Sequence, residues 1–314
     1  MDKTDKNKMK KIVRVIAISL VVIVCAYLFV EIYITHNLTW QGVYESLELS
    51  DGATVVDGEV TVTVVDVGQG DCIVIRAGKS VVMIDAGDRS SKNQVLAYLD
   101  ANGIDKIDLL VATHPHADHI GGMTAVMDHC EVGQVMITNI KKDIVPTNSI
   151  YIDFMTYLLE NEVSTRSAVS NEKIALDKGK LTVLSAGNYD DINNSSIVMR
   201  FDYGSTSFLF TGDAEKPVEK DLLASGADVE CDVLKAGHHG SRNGTTADFL
   251  DAAGPDCVVV TCGEGNSYNH PHKEFTERVD EAGARLIRSD YAGDIVFVSD
   301  GSKIMYVEPQ QEAA

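Results

Sequence analysis

Thr113-His114-Pro115-His116-Ala117-Asp118-His119-Ile120-Gly121-Gly122 follows directly on the apolar run Leu109 to Ala112. The apolar run reads as a short buried strand, and the paired glycines let the chain turn into a helix. Three imidazoles and one carboxylate at a strand end are donors that first-row divalent metals take. A chain carrying this run must bring further donors to the same strand end. His114 and His116 stand two apart and share a face if the segment is extended, whereas Asp118 and His119 turn toward a second ion. A histidine-rich surface loop is the plainer alternative. It leaves the His-x-His-x-Asp-His order and the later histidine pairs without a reason.

The 314 residues are 45% hydrophobic, enough for one large domain or two small ones. A formal charge of −20 excludes nucleic-acid binding through a broad basic surface. Positive charge gathers at the front, where six basic residues against two acidic ones up to Arg14 give +4 and leave −24 for the rest. Behind them the apolar run Val15 to Val30 extends to residues 12–34, and about 20 residues span a bilayer. A cleaved signal peptide is the rival, but no small-x-small cleavage site follows; a buried core helix is the third reading. The positive-inside rule then predicts a cytoplasmic tail at 1–11, a transmembrane anchor at 12–34 and a stalk at 35–56. The extracellular domain is expected at 57–308, with a short tail at 309–314. The six cysteines show no Cys-x-x-Cys spacing and read as core residues, with Cys257 to Cys262 as a candidate bridge.

From Val60 the pattern predicts an antiparallel meander, Val60 to Val67, Cys72 to Arg76 and Val81 to Ile84, with turns at Gly68 to Asp71 and Ala77 to Lys79. Helices are expected at Ser91 to Asn102, Gly121 to His129 and Ser149 to Glu160, the last with Ile152, Met155, Leu158 and Leu159 on one face. A strand at Val132 to Ile137 falls between them. The second half predicts strands near Leu181, Ser196, Ser207, Val233, Cys257, Leu286, Ile295 and Lys303. Its helices are expected at Lys216 to Ser225, Thr246 to Ala253 and His272 to Ala282. Strands of this kind, buried by helices outside two sheets, make one α/β domain.

Asp66-Val-Gly-Gln-Gly-Asp71, Ile84-Asp85-Ala-Gly87, His114 to His119, Thr211-Gly-Asp213 and Gly237-His-His-Gly-Ser241 together resemble the metallo-β-lactamase superfamily. Within it they look like the extracellular hydrolase domain of ComEC-type DNA-uptake proteins. The resemblance implies an αββα sandwich and two divalent metal ions, zinc or manganese. It places His114 and His116 on the first metal, Asp118 and His119 on the second, and Asp213 between them. His238 would complete the second metal, with His239 as its close rival. Most of the superfamily supplies another histidine between the cluster and the aspartate. Here that interval holds only His129, on an expected helix, and Asn194 stands where the ligand is due, to give an oxygen or leave the place to water.

Asp85, Asp66 and Asp71 are expected behind the ligands as acceptors that hold tautomers, although turn chemistry alone explains Asp66 and Asp71 equally well. Asn269-His-Pro-His272 puts His270 outside a helix, where by resemblance it binds a phosphate oxygen or protonates the leaving group; a surface cap is the other reading. Ser241 and Arg242 follow the paired histidines, and Arg242 is the nearest candidate cation for a phosphate. Two metals would bring the pKa of a shared water toward about 7 and supply hydroxide, with Asp118 central to that centre. The expected activity is a membrane-anchored, outward-facing phosphodiesterase acting on DNA beside an uptake channel protein. Two alternatives remain open: hydrolysis of a teichoic-acid phosphocholine ester or a cyclic ester or lactam, and a non-catalytic module of an uptake apparatus.

Overall fold

Leu109 and Val111 alternate with Leu110, and Phe208 and Phe210 alternate with Leu209, so each strand presents apolar residues to both faces. Strands of that pattern need cover on two sides. The computed structural model describes residues 60–308 and provides it. The sequence readings for 1–11, 12–34, 35–56 and 309–314 lie outside the described residues. Among the described residues no helix is long and apolar enough to cross a membrane.

In chain order the strands are β1 (Val60–Val64), β2 (Ile73–Ala77), β3 (Ser80–Ile84), β4 (Lys106–Ile107), β5 (Leu109–Ala112), β6 (Glu131–Val132), β7 (Val135–Ile137), β8 (Thr165–Ser167) and β9 (Lys173–Ala175). They continue as β10 (Lys180–Ala186), β11 (Ile197–Tyr203), β12 (Thr206–Phe210), β13 (Val233–Lys235), β14 (Cys257–Val260), β15 (Arg285–Arg288), β16 (Ile295–Ser299) and β17 (Ile304–Val307). One sheet runs β17-β16-β1-β2-β3-β5-β7-β8 and the other β15-β14-β13-β12-β11-β10-β9, with β4 and β6 paired apart. Each sheet is antiparallel at one end and parallel at the other: β3, β5, β7 and β8 in the first, β12 to β15 in the second. The parallel strands end toward the loops that carry the candidate site, the usual place for ligands in such sheets.

Three apolar layers hold the sandwich. Val62, Ile75 and Val111 of the first sheet meet Met199, Phe208 and Val259 of the second in the middle layer. Val95, Val126 and Phe154, from helices Lys92–Ala101, Met123–His129 and Ser149–Glu160, cover Met83 and Leu110. Val218, Phe249 and Phe275, from helices Lys216–Ser225, Ala247–Ala253 and Lys273–Glu281, cover Leu209 and Val258. Each such side chain contributes roughly 1.5–3 kcal/mol of burial.

Several expectations need correction. The helix Ser149–Glu160 buries Phe154 and Leu158, with Tyr151 and Met155 packed beside them. Ile152 and Leu159 are 49% and 80% exposed, because the face set by Tyr151, Phe154, Met155 and Leu158 at spacings of three and four turns them outward. The first strand leaves the sheet at Val64, and Val65 N–H bonds Cys72 O at 2.8 Å to close a long loop where a tight turn was expected. Gly133 and Gln134 interrupt the strand expected at Val132 to Ile137. Cys257 and Cys262 are both free and buried, so the candidate bridge is not formed.

Candidate metal centre

β5 ends at Ala112, and the chain bends at His114 and Pro115 before a short helix, Ala117–Ile120, begins. Across that bend His114 Nε2 and His116 Nδ1 stand 3.1 Å apart, and the helix swings Asp118 and His119 to the other side. Gly70 in the β1–β2 loop packs its backbone on this turn. A Cβ there would lie 2.3 Å from Asp118 O, so only glycine fits.

The second sheet delivers its groups singly. Gly212, at φ +51°, turns the chain after β12 and presents Asp213, whose N–H bonds Ser196 Oγ at 2.9 Å. Asp213 Oδ1 stands 3.3 Å from His119 Nε2 and 3.4 Å from His239 Nε2. Its Oδ2 stands 3.6 Å from His114 Nε2 and 3.8 Å from His238 Nε2. One group of donor atoms is therefore Asp118, His119, Asp213 and His239, and a second is His114, His116 and Asp213. Of the paired histidines it is His239 that lies with Asp118 and His119. The sequence preference for His238 at that place is corrected: two successive left-handed residues, His238 at φ +47° and His239 at φ +54°, point the two rings to different oxygens of Asp213.

The donor atoms fit a cation. His119 Nε2, His239 Nε2 and Asp213 Oδ1 are buried without a hydrogen-bond partner, a state that costs about 1–3 kcal/mol per group unless something else satisfies it. Their opposite ring nitrogens are already engaged: His119 Nδ1 with Asp85 Oδ2 at 2.7 Å, His239 Nδ1 with Thr261 Oγ1 at 3.0 Å. The free Nε2 lone pairs thus point inward. Burial lowers the proton affinity of His239, but Asp213 and Asp118 outweigh it and push its pKa up to about 9. His119 is likewise raised well above the ordinary imidazole range, burial being overcome by Asp213, Asp85 and Asp118. Burial and the neighbouring His119 hold His114 well below that range, and burial lowers His116. Burial works to raise Asp118, yet His119 and His239 keep its carboxyl below the usual range. The carboxylates demand positive charge, and the other pair of imidazoles offers neutral donors.

Asp85 and Asp71 lie behind the ligands. Asp85, fully buried, accepts from Thr113 N–H at 2.8 Å and from its hydroxyl at 2.5 Å as well as facing His119. Asp71 accepts from Thr261 Oγ1 at 2.6 Å and pairs with Lys235 Nζ at 2.5 Å. Asp66 stays in its own turn, accepting from Gly68 N–H at 2.9 Å. Asn194 Oδ1 accepts from Glu215 N–H at 3.1 Å, and its Nδ2 donates to Asp191 at 3.0 Å, so the amide is spent within the protein. Ser241 Oγ accepts from Asn243 N–H at 3.3 Å in a turn, and Arg242 pairs with Glu274 at 3.0 Å on the exposed surface. His129 bonds Asp100 at 2.7 Å, away from the site. His270 faces His238 with ring centroids 5.4 Å apart, and its Nδ1 is buried and unpartnered. Burial and the histidines around it push its pKa down to about 4, so it is neutral at pH 7.

Lys235 and Thr261 were not singled out from the sequence. Lys235 is 2% exposed and also donates to Gly212 O at 3.0 Å. Its signal was a lysine ending a strand that is otherwise wholly apolar.

The chain matches the family described as the metallo-beta-lactamase superfamily over residues 65–264. It is 28% identical over 264 residues to ComE operon protein 3 of Bacillus subtilis, covering 77% of this chain and 33% of that protein. It is 30% identical over 246 residues to competence protein ComA of Neisseria gonorrhoeae, again covering 77% and 33%. The chain thus spans about one third of the length of these relatives. Among solved structures, the diiron β-hydroxylase CmlA of Streptomyces venezuelae has a TM-score of 0.53 at 16% identity, over 79% of this chain and 54% of that one. YhfI of Bacillus subtilis has 0.52 at 13% identity, over 77% and 100%. These likenesses establish the shared fold and bear out the resemblance read in the sequence.

Proposed function

Since the chain belongs to the metallo-beta-lactamase superfamily, we propose that it is a metal-dependent hydrolase that cleaves phosphodiesters, DNA first among them, on the outer face of a cell membrane that it enters through residues 12–34. The observation that carries the hydrolase reading is the division of Asp213, whose two oxygens face two different sets of imidazoles. A carboxylate that faces both sets suits a pair of ions. His114, His116 and Asp213 would hold one; Asp118, His119, His239 and Asp213 would hold the other. Nitrogen and oxygen donors without thiolate suit zinc or manganese. When bound, two such ions supply Lewis acidity and neutralise charge on a phosphoryl group.

The chain's own residues prepare for that chemistry. Asp85 and Thr261 fix the tautomers of His119 and His239, so no imidazole reorients when a substrate arrives. Asp118 is the partly open member of its set, its side chain 29% exposed, and can accept from a water at the mouth of the site. His270, neutral at pH 7, suits a hydrogen bond to a phosphoryl oxygen better than proton donation to a leaving group. Arg242 is engaged by Glu274 and the chain is strongly acidic, so affinity for DNA rests on the ions rather than on a basic surface.

The relative named a competence protein supports DNA as substrate and an uptake channel protein as partner. The test is the full chain in detergent, supplied with manganese or zinc and offered single-stranded DNA, duplex DNA and a bis-aryl phosphodiester, with Asp118→Ala as control. Metal-dependent DNA cleavage lost in Asp118→Ala is expected. Cleavage of the small diester alone would replace DNA by a smaller substrate, and no cleavage with any ion would end the hydrolase reading. Protease treatment of intact cells should remove the domain; a protected domain would reverse the orientation.

A further inference from the structure

Resting on the two-ion reading, we infer that His238 closes the first metal pocket, in the place that no histidine before Asp213 fills. That pocket has three donors in tight array, His114, His116 and Asp213. His238 approaches the same oxygen of Asp213 that His114 faces, with Nε2 3.8 Å from Oδ2 against 3.6 Å for His114. Two ligands on one tetrahedral ion, with bonds near 2.1 Å, stand about 3.4 Å apart. His238 lies outside the tight three-donor group, so its bond is the weakest of the four and the first pocket is the weaker site.

The ring is held as a ligand is held. His238 Nδ1 lies 2.8 Å from Glu215 Oε1, which takes an N–H there and leaves the Nε2 lone pair toward Asp213. Asp85 does the same for His119. Glu215 is fixed in turn: its N–H bonds Asn194 Oδ1 at 3.1 Å. Asn194 therefore serves the pocket through Glu215 and His238, two bonds removed from any ion.

The backbone argues the same way. His238 and His239 both occupy the left-handed region, at φ +47°, ψ +51° and φ +54°, ψ +31°. That conformation disfavours side chains, and a glycine would adopt it freely at position 238. With an imidazole there, the strained pair sends one ring to each oxygen of Asp213, the ring centroids 6.0 Å apart.

The test reads metal, not turnover. Metal-free full-length protein is dialysed against graded manganese and analysed for bound metal by mass spectrometry, with cobalt absorption as a second readout of ligand number. Wild type should bind two ions per chain, the second pocket filling first. His238→Ala should keep the tighter ion and weaken the other by about 100-fold, whereas His239→Ala should lose the tighter one. Glu215→Gln leaves the ring in place and should weaken the first pocket by roughly 10- to 100-fold, the usual cost of losing a residue behind a ligand; this variant decides the matter if His238→Ala fails to fold. Two ions at wild-type affinity in both His238→Ala and Glu215→Gln would overturn the assignment. A wild type that cleaves diesters with a single bound ion would also overturn it and leave the hydrolase reading intact. Two ions without any diesterase activity would do the reverse.

Discussion

His119 and His239 face the same oxygen of Asp213 from opposite sheets, and the two sheets hold them differently. His119 Nδ1 meets a carboxylate, Asp85, at 2.7 Å, and Asp85 is itself fixed by Thr113 at the end of the neighbouring strand β5. His239 Nδ1 meets a hydroxyl, Thr261 Oγ1, at 3.0 Å, and that hydroxyl passes the contact on to Asp71 at 2.6 Å. Asp71 belongs to the β1–β2 loop of the first sheet, so the second sheet's histidine is steadied from across the sandwich. One support is built within a sheet and is strong. The other spans two sheets, has a hydroxyl as its nearest contact with the Asp71 carboxylate 3.5 Å from the same nitrogen, and depends on the sandwich being closed.

The widest break in this comparison is to remove the group both sides share. Asp213→Ala should bind neither ion tightly and reduce diester hydrolysis by about 10³-fold or more, at or beyond the upper end of what one electrostatic group contributes. Metal analysis and initial rates on a bis-aryl diester check it. Retention of either ion at wild-type affinity would mean that Asp213 serves one pocket only.

Next in size is the cation behind the cross-sheet support. Lys235 Nζ pairs with Asp71 at 2.5 Å and both are buried, so Lys235→Met leaves a carboxylate without its counter-charge. Breaking a buried pair from one side costs about 3–5 kcal/mol. For a domain of this size that is a fall in Tm of roughly 6–20 °C, measurable on the metal-free protein. A metal-free variant that melts with wild type would show that Asp71 is held by Thr261 alone.

How far these parts were legible in the sequence follows the same division. The His114 to His119 run is one strand end and one helical turn, so spacing along the chain is spacing in space, and the two sets of donors could be separated from it. Asp85 lay at a strand end ahead of a glycine, a position that points at a neighbouring strand. The choice between His238 and His239 was not legible, because it turns on two left-handed residues in succession, a backbone state that local pattern does not encode. Asp66 and Asp71 looked alike in a glycine-rich loop; only the folded chain sends Asp71 inward to Lys235 and leaves Asp66 bonded to Gly68. Thr165–Ser167 and Lys173–Ala175 were missed as strands because both are edge strands with polar residues and no alternation to read.

The finest test sets the two supports against each other. Asp85 sits at φ +58°, where asparagine is tolerated as well as aspartate, so Asp85→Asn keeps the backbone and the shape and removes the charge. Thr261→Val keeps the shape of its residue and removes the hydroxyl. If the carboxylate makes His119 the stronger donor, Asp85→Asn should weaken the second pocket by nearly the full 100-fold available to residues behind a ligand, and Thr261→Val by only about 10-fold. The two variants should also differ in what else they move. Asp85→Asn takes a buried acceptor from Thr113 and His119 together and should lower the metal-free Tm the more, whereas Thr261→Val removes one hydrogen bond to Asp71, which Lys235 still holds, and should lower it by only a few degrees, since one buried hydrogen bond contributes about 1 kcal/mol. Equal losses of affinity with equal melting temperatures would mean that the hydroxyl transmits the charge of Asp71 undiminished and that the two sheets hold their histidines in the same way.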